Sequence, residues 1–163
     1  MVNQMRSVGK SAPAPEDFGI LLARAYAAFV EDLREGLAAE GFRDLHPYFG
    51  YVARTLDEGP LTLRQLADRL EVTSPAALKV VNSMTDGGYL ERLDDPDDAR
   101  ARRVRLTKKG LAALSRARAF HRRFERSLAR DVGVVAIRRM RAALESMVAE
   151  RERRAGPVKL RPM

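Results

Sequence analysis

The segment TLRQLADRLEVTSPAALKVVNSMTDGG, residues 62–88, decides the fold. Thr62 is a helix-capping residue type, and Leu63, Leu66, Ala67 and Leu70 recur at the three- and four-residue steps of a short amphipathic helix. Glu71 and Val72 leave room only for a tight link before a second cap at Thr73. The helix predicted from Ser74 to Asp86 tolerates Pro75 in its first turn, and Gly87-Gly88 supply the backbone freedom that a helix C-terminus uses. Ala77, Val80, Val81 and Met84 form its inner stripe. Ser74, Pro75, Ala76, Leu78, Lys79, Asn82 and Ser83 are left facing outward or at the margins. A helix that displays small polar groups, one Lys and one Asn can enter a DNA major groove. There Asn can pair bidentately with adenine, and Lys can reach guanine acceptors or phosphate.

Downstream, two short strands are predicted at about Tyr89–Leu93 and Arg102–Leu106, separated by a turn-rich run of Asp, Pro and Ala. A helix-turn-helix followed by a β-hairpin is a winged helix. Asp98 and Arg100 fall at the hairpin tip, and the return strand adds Arg102, Arg103 and Arg105 before Thr107 caps a further helix. An arginine on a narrow hairpin suits the negative potential of a minor groove. Asp98 and Arg100 can equally pair with each other to stiffen the turn, and the two roles are compatible.

Upstream, residues 1–16 lack periodicity and read as a flexible arm. A long helix is expected from Asp17, with Phe18, Leu21, Leu22, Ala25, Phe29, Leu33 and Leu37 on one face, ending at Gly41. A second is expected from Asp44 to Leu56, with Leu45, Phe49, Val52 and Leu56 inward, broken by Glu58-Gly59-Pro60. Beyond Thr107 come two more amphipathic stripes. The first is Leu111, Leu114, Ala117, Phe120 or His121, Phe124 and Leu128, and the second is Ile137, Met140, Leu144, Met147 and Val148. A monomer would leave part of those faces wet, which favours a homodimer, with intrachain core as the alternative. Arg151, Arg153 and Arg154 read as solvated.

The 163-residue chain has a net charge of +8 and a pI near 10.4, with the charge unevenly placed. Residues 1–99 carry 10 basic and 17 acidic side chains, residues 100–130 carry 12 and one, and residues 131–163 carry 8 and 4. So abrupt a reversal suggests a surface facing a polyanion such as duplex DNA, although an Arg-rich solvated helix would give the same count. With no Cys and only His46 and His121, thiol chemistry is excluded and no metal centre is expected. No apolar run is long enough for a membrane span and no signal-type segment opens the chain, so a cytoplasmic protein without membrane partners is expected. No phosphate-binding loop, nucleophile elbow or HExxH sequence is present, and no enzymatic activity is expected.

The ordered combination of Leu63–Leu70, Thr73, Gly88-Tyr-Leu-Glu-Arg92, Asp95-Pro-Asp-Asp-Ala-Arg100 and Val104-Arg-Leu-Thr-Lys-Lys-Gly110 resembles the MarR family of bacterial transcription regulators. At the level of helix order the likeness extends over residues 17–153. It implies a mainly α fold in which a winged helix-turn-helix lobe with a two-stranded β-wing (residues 44–110) lies between an N-terminal dimerisation helix (17–43) and C-terminal dimerisation helices (111–154), with a tail at 155–163. It further implies a ligand-responsive repressor that acts as a homodimer on a palindromic operator in double-stranded DNA. The DNA-contacting candidates are Thr73, Ser74, Pro75, Lys79, Asn82, Ser83, Asp98, Arg100, Arg102 and Arg103. No cofactor is implied beyond a small aromatic or phenolic effector, for which Tyr26, Phe29, His46, Tyr48, Phe49 and Phe120 are candidate contacts, each with an ordinary core role as the alternative. Two departures stand out. Ala99 replaces a second wing arginine common in relatives, and Ala76 and Leu78 stand where relatives often place Ser or Thr. The absence of Cys removes the peroxide-sensing chemistry of one branch of the family. A winged helix used for protein or RNA contact is the reading from another class.

Overall fold

Each of the three threonines singled out as caps begins a helix. In the computed structural model, which describes residues 17–94, 102–156 and 158, the chain runs α1 (Phe18–Ala39), α2 (Phe49–Leu56), β1 (Leu61–Thr62), α3 (Leu63–Arg69), α4 (Ser74–Asp86), β2 (Leu90–Asp94), β3 (Arg102–Leu106), α5 (Lys108–Val132) and α6 (Val134–Ala155). Thr62 opens α3 with a reciprocal cap: its hydroxyl accepts from the Gln65 amide at 3.2 Å, and Gln65 Oε1 accepts from the Thr62 amide at 2.9 Å. Thr73 and Thr107 cap α4 and α5 through the amides of Ala76 and Gly110. The predicted mainly α, winged helix-turn-helix architecture is present.

Two boundaries and the strand count differ from expectation. Helix α2 starts at Phe49, not at residue 44, because Asp44 adopts a left-handed backbone (φ 55°) and His46-Pro47 intervenes before the first helical turn. Leu45 still packs against the core from the preceding loop. β2 begins one residue later than predicted, at Leu90. The sheet has three strands instead of two, in the order β1-β3-β2, all antiparallel. Leu61 and Thr62 lie beside Val104 and Arg103 and cover the second edge of β3. A two-residue strand is too short to show alternation, so it carries no periodic signal.

α2, α3, α4, the sheet and the first turns of α5 share one core, with Val52, Leu66, Val81, Met84, Leu90 and Leu114 buried in it. Tyr89 is its junction. Its ring packs edge-on against Phe49 (centroids 5.4 Å apart), its hydroxyl donates to the Arg43 carbonyl at 2.7 Å, and its own carbonyl accepts from the Thr107 amide at 3.1 Å. Gly88, at φ 73°, turns the chain from α4 into this position. Gly110 then lets α5 rest directly on the Tyr89 backbone. A Cβ at residue 110 would sit inside the contact distance of the Tyr89 carbonyl oxygen and 2.9 Å from Leu106 Cδ2.

The long helices are covered very differently. Leu37 is the one buried residue of α1, and Ile137 the one buried residue of α6. α1 meets α5 through Phe29, which packs against Phe120 and Phe124. Phe18, Ile20 and Leu21 on α1 and Met140, Leu144, Met147 and Val148 on α6 face outward. Gly110→Ala should therefore lower stability by about 1–3 kcal/mol through overpacking, seen as a lower urea midpoint. Gly19→Ala, at an open helical position, should be neutral or gain up to about 1 kcal/mol.

Candidate nucleic-acid interface

Helix α4 buries Ala77, Val80, Val81 and Met84 against the core, and this fixes which side chains it offers to the outside. Ser74, Pro75, Leu78, Lys79, Asn82 and Ser83 are exposed, as the periodicity predicts. Thr73, also exposed, is committed to its cap through Oγ1. Four-residue spacing sorts the outer residues into two rows, Ser74-Leu78-Asn82 and Pro75-Lys79-Ser83.

The β-ribbon rises beside this helix. Cross-strand partners share a face of the ribbon, so Leu90/Leu106, Arg92/Val104 and Asp94/Arg102 lie on one side and Glu91/Arg105 and Leu93/Arg103 on the other. Arg102 and Arg103, both predicted DNA contacts, thus point to opposite faces. Arg102 is paired with Asp94 across the ribbon, and Arg105 with Glu91 at 2.7 Å. Asp98 and Arg100, the predicted wing-tip contacts, lie outside the described residues. Between α4 and the ribbon runs an apolar groove of about 540 Å³ lined by Leu63, Leu78, Val81 and Val104, with the side chains of Arg92 and Arg102 along it. Arg92 donates from Nη2 to Asn82 Oδ1. Arg92 was not among the predicted site residues. Its signal was its place in the Gly88–Arg92 motif, opposite Val104.

The predicted effector residues are distributed over several environments. Tyr26 and Tyr51 bring their hydroxyls to 3.4 Å, and burial together with this hydrogen bond pushes the Tyr51 phenol up to about 12. His46 accepts the Tyr48 amide on Nδ1 at 3.1 Å and so helps to start α2, and burial lowers its pKa. Phe49 belongs to the lobe core. Phe29 packs on Phe120, His121 and Phe124. Phe120 and Phe124 also form the apolar wall of an open cleft of about 760 Å³ between α1 and α5, where Arg123, Arg126 and Arg130 face Asp32 and Glu35. Tyr51, Arg54 and His121 complete the α1-α2-α5 junction. Tyr51 and Arg54 lie three residues apart on α2, a same-face spacing that could have flagged them. Among the described residues, no group of three or more His, Asp or Glu side chains is arranged to hold a metal ion. Nor is any helix long and apolar enough to cross a membrane.

Three features together define a winged helix-turn-helix protein: the capped helix pair, the three-stranded wing sheet and the long flanking helices. Residues 48–101 match the model of the MarR family. It is 28% identical over 108 residues to the exopolysaccharide II synthesis transcriptional activator ExpG of Rhizobium meliloti; the match covers 66% of this chain and spans about half, 56%, of that relative's length. Similar folds include RV1404 from Mycobacterium tuberculosis (TM-score 0.65, 21% identity, 84% of this chain and 96% of that one). Wild-type apo MarR of E. coli aligns with TM-score 0.60 and 19% identity over 82% and 98% of the two chains. A variant of S. aureus MepR bound to an oligodeoxyribonucleotide aligns with TM-score 0.56 and 18% identity over 83% and 99%.

His121 accepts from Arg54 Nη2 at 3.2 Å, since a guanidinium can only donate. Burial first, and the Arg54 charge second, lower its pKa below 6.5. The folded chain therefore binds fewer protons here than the unfolded one. The resulting stability is fully present above the unfolded pKa of 6.5 and is lost as pH falls through the lowered folded value. The urea midpoint should drop between about pH 7.5 and about pH 5.5, and His121→Gln, which keeps a neutral acceptor, should flatten that drop.

Proposed function

We propose that this protein is a sequence-specific, double-stranded-DNA-binding transcription regulator that acts as a homodimer on a palindromic operator, as a repressor released by a small aromatic or phenolic effector. The observation that carries this reading is the outer face of α4. It is a doubly capped helix whose exposed Ser74, Leu78, Lys79, Asn82 and Ser83 stand beside a cationic ribbon. Such a helix enters a major groove while the wing follows the backbone. The nucleic-acid ligand named for the MepR variant and the activator role named for the Rhizobium relative favour the same class of activity. Whether transcription falls or rises depends on where the operator lies relative to the promoter.

The dimer is supported by apolar area left uncovered on the flanking helices. Phe18 is 67% exposed, and Met140 and Met147 are 46% and 47% exposed. A second copy that covered residues 17–43 and 111–154 would bury these stripes. It would also set two copies of the 44–110 lobe on half-sites about 34 Å apart, one turn of DNA. For release, an effector seated among the aromatic residues of α1, α2 and α5 must bind the arrangement with unfit lobe spacing more tightly than the fit one.

Fluorescence anisotropy on the duplex upstream of the coding sequence, against a scrambled duplex of equal length, tests the DNA reading. The native duplex should bind about 10³-fold more tightly or better, with a steep salt dependence. Lys79→Ala should weaken binding and reduce the salt slope by about 1 if the ammonium meets a phosphate. Persistent dimerisation without duplex binding would favour a protein- or RNA-contacting winged helix. Met140→Glu combined with Met147→Glu should halve the mass seen by sedimentation and weaken operator binding. An unchanged mass would remove α6 from the dimer interface.

A further inference from the structure

Asn82 offers two kinds of group to a major groove, a carbonyl oxygen that accepts and an amide nitrogen that donates. Bidentate pairing with adenine uses both, because adenine presents an N6 donor beside an N7 acceptor. In this structure one of the two lone pairs of the accepting oxygen is already engaged, by a cationic donor that disfavours the approach of a second donor. Arg92 Nη2 donates to Asn82 Oδ1. The assignment of the two amide ends is fixed by chemistry, since a guanidinium has no acceptor and only the oxygen can face it. The contact is also held from the Arg92 side. Arg92 is paired with Val104 in the ribbon, and its side chain runs along the apolar groove formed by Leu63, Leu78, Val81 and Val104. An arginine stem resting on apolar side chains with its head at the rim is positioned by packing as well as by its hydrogen bond.

We propose that Arg92 turns Asn82 toward DNA chiefly as a donor, so that the outer row of α4 favours a keto base, guanine or thymine, where an unrestrained asparagine would select adenine. Guanine offers two acceptors, O6 and N7, and thymine offers O4 to the outward-facing amide NH2; adenine offers N7 alone, and its N6 donor would meet an oxygen already held by a guanidinium. Leu78 precedes Asn82 by one turn on the same row and is 41% exposed. Its side chain provides apolar contact for a thymine methyl, and an apolar residue on a groove-reading face gains nothing from the polar edges around it. Arg92 is thus a positioning residue: it acts on specificity through Asn82. This inference rests on the DNA-binding reading above.

The test is selection from a pool of randomised duplexes, sequenced after enrichment, with the wild-type chain, Asn82→Ala and Arg92→Met. Both positions are exposed, and a sedimentation mass and an unfolding curve for each variant establish that it is folded. Asn82→Ala identifies the base position that Asn82 reads, as the one whose preference flattens. At that position the wild type should enrich keto over amino bases about 5-fold or more, the lower end of what one good base contact supplies. In Arg92→Met, which releases Oδ1, adenine should become the most enriched base at the same position. A structural role for Arg92 would lower affinity for all sequences alike and leave the base order unchanged. The proposal is overturned if the wild type selects adenine there, if Arg92→Met keeps the keto preference, or if Asn82→Ala alters no position. A wild-type chain that enriches no sequence at all overturns the DNA-binding reading together with this one.

Discussion

The close approach of α5 to the Tyr89 backbone is the constraint on which the rest of the molecule depends. Three separate features of the sequence meet there. Gly88 turns the chain out of α4, Thr107 both caps α5 and donates to the Gly88 carbonyl at 2.7 Å, and Gly110 leaves room for the helix to settle on Tyr89. Lys109 closes the joint by donating to the Gly87 carbonyl at 2.7 Å with its ammonium 4.3 Å from the Tyr89 ring centre. The end of the outward-facing helix, the base of the ribbon and the start of the long helix α5 are thereby fixed to one another. A motif that reads in sequence as two fragments about twenty residues apart is, in space, a single contact.

What was legible in the sequence follows from which interactions are local. Helices α3, α4 and α5 could be read because each has an apolar stripe and a threonine cap, both short-range signals. The turn at Asp44 could not, because a left-handed aspartate is permitted only by how the loop then places Leu45 and the Tyr89 hydroxyl's partner, the Arg43 carbonyl. β1 was invisible for the same reason, since two residues acquire strand geometry only through β3. On the candidate interface the exposed row of α4 was legible residue by residue. The Arg92–Asn82 contact, which changes what that row can read, joins residues on different elements, and no periodicity encodes it.

The charge reversal along the chain has a different meaning in three dimensions. Much of the basic run is answered by the chain's own acidic half. Arg118 meets Asp57 at 2.8 Å, Arg116 meets Glu40 at 3.0 Å, and Arg105 and Arg102 meet Glu91 and Asp94 across the ribbon. Exposed pairs of this kind contribute roughly 0–1 kcal/mol each, so they position side chains more than they stabilise the fold. They also mean that the basic run, counted along the sequence, overstates the cationic surface open to a polyanion. In the proposed complex, ribbon arginines must exchange a carboxylate for a phosphate, an exchange that weakly held surface pairs permit at little cost.

The same economy bears on how an effector could act. The lobe has its own core, whereas α1 and α6 each bury a single side chain. α5 belongs to both parts. Its first turns are locked to Tyr89, and its middle carries Phe120, His121 and Phe124 against Phe29 of α1. At 25 residues it is one unbroken helix from Lys108 to Val132, about 37 Å long at the helical rise. A helix of that length transmits displacement as a rod. A small molecule that separated α1 from α5 would tilt α5 about its buried end, and because Gly110 admits no slack against Tyr89, α4 would have to move with it. In the proposed dimer, the spacing between two copies of α4 would thus be tied to the aromatic junction through one glycine contact.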